Sequence, residues 1–196
     1  IGAGARGASM GPEAMRVANL VPILEGHGLE VIDRGNLVGP ANPWLPPVDG
    51  YRHLAEVVQW NRTVHDAMLA ELKLGRLPIL LGGDHCLGIG SISAVARHCR
   101  EANKKLRVLW LDAHADFNTS TLTPSGNVHG MPVACLCGHG PKELIEIGGT
   151  VPAISQILCC AAVRARNDWM GPSPSASRIA SLSPSVRPIR QNHSGS

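Results

Sequence analysis

The stretch Arg107-Val108-Leu109-Trp110-Leu111-Asp112-Ala113-His114-Ala115-Asp116 decides the fold. Five residues, apolar after the first, run directly into a cluster of acids and an imidazole. Leu77-Pro78-Ile79-Leu80-Leu81-Gly82-Gly83-Asp84-His85 repeats the plan thirty residues earlier. Short apolar runs read as strands buried on both faces. Between them, roughly Leu87 to Ala102 carries a helical pattern. Ahead of them, Arg52 to about Leu74 is a long amphipathic helix with Leu54, Val57, Val58, Val64, Met68 and Leu72 as its apolar stripe, ended by Gly75. Strands alternating with helices specify an α/β fold with a mainly parallel sheet flanked by helices. In such sheets ligands bind beyond the carboxyl ends of the strands. Both Asp/His clusters fall there.

Working outward, Gly11-Pro12-Glu13 starts a helix, with Pro in the first turn and an acid beside it. Ala14, Val17, Ala18, Val21 and Leu24 continue it, and Gly26 and Gly28 end it. Leu29 to Ile32 reads as a short strand, and the Pro- and Gly-rich segment 36–50 as a loop. The chain opens on Ile1 rather than Met, with no signal-peptide pattern, and is read as a fragment. No apolar run approaches the about 20 residues of a membrane span.

The 196 residues carry a net charge of +3, unevenly placed. Residues 1–155 hold 13 Lys and Arg against 14 Asp and Glu, whereas residues 156–196 hold 5 Arg and 1 Asp. The basic excess belongs to a Ser-, Pro- and Arg-rich tail without a sustained period, expected to be disordered. It gives no basic folded face for nucleic acid. The expected organisation is therefore an α/β domain over 1–155 and a divergent tail over 156–196. The six cysteines fit no disulfide framework and read as free thiols of a reducing cytoplasm. Cys135-Leu136-Cys137-Gly138-His139 lacks a second ligand pair and reads as structural rather than as zinc-binding.

In an extended segment alternate side chains share a face, so Asp112, His114 and Asp116 point into one space. Two carboxylates held together require a positive charge between them. A divalent metal meets that need, and His85 on the same rim supplies another imidazole. Mixed Asp/His ligation suits Mn, Fe or Zn. The polar run from Asn118 to Gly130 follows directly and reads as a substrate wall.

Gly82-Gly83-Asp84-His85 and Asp112-Ala113-His114-Ala115-Asp116 resemble two signatures of the ureohydrolase superfamily. Asn118-Thr119, then Thr123-Pro124-Ser125-Gly126-Asn127-Val128-His129-Gly130-Met131-Pro132, resemble arginase in particular, as do Arg6-Gly7 and Gly11-Pro12. The resemblance covers about residues 1–155. It implies a three-layer α/β/α fold and two Mn²⁺ ions sharing a bridging hydroxide that converts L-arginine and water to L-ornithine and urea. It also implies a cytoplasmic homo-oligomer. By that similarity His85, Asp112 and Asp116 bind one metal, and Asp112 bridges to the other, which His114 also binds. Asn118, Ser125 and Asn127 hold the amino-acid end of the substrate, and His129 transfers protons, with Asp116 also in the catalytic set. Cys86 stands where relatives often have Ser.

The family's later Asp-x-Asp run and its C-terminal carboxylate have no counterpart after Ser155, which leaves both metal shells incomplete. The change in composition near Gln156 fits a reading-frame slip or an altered transcript end. Two rival readings follow. One is a non-catalytic, truncated metal-binding or subunit-interaction protein. The other is a dinucleotide-binding oxidoreductase, because Gly2-Ala3-Gly4-Ala5-Arg6-Gly7 fits G-x-G-x-x-G with Glu25 downstream. That pattern needs a preceding strand, which the sequence does not show, and it leaves the Asp/His clusters unexplained.

Overall fold

A computed structural model describes residues 1–3 and 8–154. These lie within one compact unit, Ile1–Val163; a second unit, Arg164–Ser196, falls outside the described residues. The expected tail 156–196 is likewise outside them, as are residues 4–7 of the glycine-rich run.

The helix expected from Gly11 onward is two helices, α1 (Gly11–Val17) and α2 (Leu20–Gly26). Pro22 explains the break. It has no N–H to give the carbonyl of Ala18, and its ring would clash with that carbonyl. Ala18 is the C-cap of α1, and Asn19 turns the chain at φ 61°, a left-handed conformation that Asn tolerates better than most residues.

The long helix forms as α3 (Leu54–Lys73). Glu56 in its first turn and Lys73 in its last suit the helix dipole. Gly75, at φ +74°, closes it in a Schellman arrangement: the Arg76 N–H donates to the Glu71 carbonyl at 3.1 Å and the Gly75 N–H to Leu72 at 3.0 Å. Its buried face is Val57, Val58, Asn61, Val64, His65 and Leu69. Asn61 and His65 interrupt the apolar stripe that the spacing predicts.

A one-turn 3₁₀ helix, His85–Leu87, leads into α4 (Gly88–Glu101). Helix α4 packs on α3 where Gly90 meets Asn61: a Cβ on Gly90 would run into the Asn61 backbone. The Asn61 side chain accepts from the Gly90 N–H at 2.7 Å and donates to the Val57 carbonyl at 2.9 Å. It thus satisfies one of the first-turn N–H groups that α4 cannot pair internally. Two short helices, α5 (Pro132–Leu136) and α6 (Lys142–Ile145), complete the core. Val57, Val58, Cys86, Ile89, Val128, Met131, Cys135 and Leu144 form its centre.

The expected parallel sheet is not formed by the described residues. Apart from a single bridge position at Leu109 and the Val48–Tyr51 bridge in the loop, no described residue carries strand pairing. The segments 29–32, 77–81 and 107–111 are neither helical nor laddered. Exposure nevertheless alternates with the strand period: Arg107, Leu109 and Leu111 face out while Val108 and Trp110 are half-buried. A cleft of about 350 Å³ is lined by residues of both runs, Leu80 and Gly82–His85 from the first and Leu109–Leu111 from the second. Among the described residues no helix is long and apolar enough to cross a membrane.

Candidate metal centre

Asp84 builds the first half of the centre. Its Oδ1 accepts from the Cys86 N–H at 3.1 Å, capping the turn that carries His85, and its Oδ2 accepts from the Ala3 N–H at 2.9 Å. Burial pushes the Asp84 carboxyl up, but the hydrogen bonds from Cys86 and Ala3 outweigh it and hold the group below its ordinary range. Gly83 passes so close to Ala8 that no side chain fits there. The sequence pattern singled out His85 and left Asp84 without a role; an acid just before a turn is the capping signal that reveals it.

The second half is the turn after Leu111. Asp112 Oδ1 accepts from the His114 N–H at 2.8 Å, so the chain curls back instead of staying extended. Asp116 then sits at φ +46°, a conformation that costs an ordinary residue roughly 1 kcal/mol or more. It is only 8% exposed, and its carbonyl accepts from the Val133 N–H of α5 at 3.0 Å.

These turns bring His85, Asp112 and Asp116 together. His85 Nδ1 lies 2.8 Å from Asp112 Oδ2 and 2.9 Å from Asp116 Oδ2. One ligand atom from each of the three residues falls within 4.8 Å of the others. The same ring nitrogen is hydrogen-bonded to Asp116. Asp112 Oδ2 is left as a buried oxygen without a hydrogen-bond donor. Burial raises the Asp112 carboxyl, yet the His114 amide and the neighbouring His85 and His114 rings prevail and draw it below the usual carboxylate range. Two acids and an imidazole converging on one point, with an acid oxygen lacking a hydrogen-bond donor, fit a divalent cation.

The other expected residues take different places. His114 is 82% exposed, its Nδ1 3.3 Å from the opposite oxygen of Asp112, Oδ1. Asn118 is exposed, its N–H donating to the Gly130 carbonyl at 3.0 Å. Ser125 Oγ accepts from the Asn127 N–H at 3.3 Å. Asn127 Nδ2 donates to the Ala3 carbonyl at 3.0 Å, while its Oδ1 is buried without a partner among the described residues. His129 Nδ1 lies 3.3 Å from the Gly2 carbonyl. The metal-type cluster found among the described residues contains neither Cys137 nor His139, and Cys86, Cys99, Cys135 and Cys137 are free thiols.

A sequence profile described as the Arginase family matches residues 1–162. An arginase of Brevibacillus brevis is 40% identical over 154 residues, covering 79% of this chain and 50% of its own length. One from Bacillus caldovelox is 40% identical over 151 residues, 76% of this chain and 49% of its own. The native crystal structure of the B. caldovelox arginase at pH 5.6 superposes with a TM-score of 0.70 at 38% identity, covering 76% of this chain and 49% of that one. A Bacillus subtilis arginase structure gives 0.70 at 34%, covering 78% and 50%. The chain spans about half the length of the curated relatives it matches.

Proposed function

Because the chain belongs to the arginase family, we propose that it is an arginase-type hydrolase, with His85, Asp112, His114 and Asp116 as metal ligands and L-arginine as substrate. The observation that carries this reading is the convergence of His85, Asp112 and Asp116 around the unsatisfied Asp112 Oδ2. The donor set suits Mn²⁺, and a pair of such ions, when bound, supplies a nucleophile from water near neutral pH. Asp112, with Oδ2 at 2.8 Å from His85 Nδ1, would be a ligand shared by both ions. Asn118, Ser125 and Asn127 would hold the amino and carboxylate groups of the substrate. His129 would carry protons, for which an imidazole near neutrality is suited. The segments 29–32, 77–81 and 107–111 would belong to the parallel sheet of a three-layer α/β/α fold.

A second reading is supported by the outward placement of His114: a metal-binding protein of the same family without turnover. Urea release from L-arginine by the Mn²⁺-loaded chain separates the two. The hydrolase reading expects turnover that falls at least about 100-fold in His85→Ala and Asp112→Asn, the range that displaced catalytic geometry costs. Bound Mn²⁺ without urea favours the second reading, and failure to bind any divalent metal ends both.

A further inference from the structure

A ligand imidazole usually has its second nitrogen tied to a carboxylate or carbonyl, which sets the plane of the ring. His85 lacks that tie. Its Nδ1 faces Asp112 and Asp116, and its Nε2 has no hydrogen-bond partner among the described residues. Its side chain is half exposed, so burial does not fix the ring either.

What His85 does touch is Trp110. The ring centroids are 5.5 Å apart and the planes meet at 75°, an edge-to-face contact. Trp110 is placed on both halves of the centre. It precedes Asp112 by two residues, and its benzo ring lies against the backbone of Gly88, where a Cβ would stand 3.3 Å from Cη2 and 3.4 Å from Cζ3. Gly88 directly follows the turn that carries His85. The indole N–H is buried without a partner among the described residues, so no polar anchor of its own accounts for where the ring sits. Its packing between Gly88 and His85 does.

We propose that Trp110 is a positioning residue: its indole, in place of the usual hydrogen bond, holds the His85 imidazole so that Nδ1 faces Asp112 and Asp116. The proposal rests on the metal reading for its consequence, and it deepens that reading by naming what aligns one of the ligands. Trp110 as mere core filler would affect stability alone.

The test uses the full chain. Mn²⁺ affinity is read by electron paramagnetic resonance of the free ion, and the His85 ring is followed by NMR in the metal-free protein. Trp110→Leu is expected to weaken Mn²⁺ binding about 10-fold or more, the range of outer-shell substitutions, and to free the ring to sample several orientations. Trp110→Phe keeps a ring but loses its reach, and is expected to weaken binding by about 3- to 10-fold. Trp60→Phe is the control. Its Nε1 donates to the Pro40 carbonyl at 3.1 Å, away from the centre, and its affinity should be unchanged. Should Trp110→Leu not fold, Trp110→Phe decides. Affinity within about 2-fold of wild type in whichever variant folds overturns the proposal, whatever happens to its melting temperature. So does a wild-type His85 ring that shows no proton contact with Trp110. A wild-type chain with that contact and no Mn²⁺ binding supports the positioning and fails the metal reading alone.

Discussion

One ring nitrogen of His85 faces two carboxylate oxygens, and that convergence governs the chemistry of the centre. The spacing of Asp112, His114 and Asp116 made the two acids of the cluster legible. His114 points outward instead, for a local reason. Alternation of side chains holds only while the backbone is extended, and here the Asp112 carboxylate captures the His114 amide and turns the chain. The left-handed Asp116 then restores its own carboxylate to the cluster. Nothing in a residue pattern announces that second compensation. Thiols follow simpler rules at this scale. Burial pushes Cys135 up to about 12 and Cys86 well above an ordinary thiol, while Cys137 is raised less and is half-buried. The thiolate is the reactive form, so Cys86 and Cys135 should resist alkylation at pH 8 in the native chain. Peptide mapping after brief iodoacetamide treatment should find them unlabelled until denaturant is added. Labelling of Cys135 as fast as Cys137 would contradict the burial assigned to it.

Helices were the readable elements because their determinants are local. Pattern and terminal glycine located α3 within two residues at its start and one at its end. What periodicity hid was a polar residue inside an apolar stripe, since the Asn61 side-chain oxygen is satisfied by Gly90 of another helix. Asn61→Ala removes both of its hydrogen bonds and strands the Gly90 N–H at a packed contact. The expected loss is about 1–3 kcal/mol in chemical denaturation; a loss below about 0.5 kcal/mol would mean that water reaches Gly90. A second inter-element tie is on the surface. Arg16 of α1 holds Asp33 in a bidentate pair at 2.7 and 3.1 Å. That hydrogen bonding, with the Gly35 amide, draws the Asp33 carboxyl down to about 2. A lowered folded-state value stabilises above the unfolded value near pH 4 and is lost as pH falls toward 2. Asp33→Asn should therefore lower the melting temperature slightly at pH 6, with the difference shrinking as pH falls to 2 and vanishing below it. Salt should shrink the gap, because the pair is exposed.

At the scale of the molecule, the sheet is where reading by sequence reached least far. Strand pairing is a relation between segments distant in the chain, and an apolar run states only that it seeks neighbours, not which. The outward positions of both runs keep that demand: Leu77 is 88% exposed and Leu111 77%, with Ile79 and Leu109 beside them. Clustered apolar exposure of this kind promotes association or dye binding in a soluble chain. Charges placed there should relieve it at little cost to the core formed by α3 to α6, because both side chains are largely exposed. The double variant Leu77→Lys/Leu111→Lys is expected to bind less anilinonaphthalene sulfonate and to stay monomeric at higher concentration. Its unfolding free energy should remain within about 0.5 kcal/mol of wild type, as for ordinary surface substitutions. A loss of more than about 2 kcal/mol would instead show that these leucines are covered in solution, since only a buried apolar side chain resists a charge so strongly.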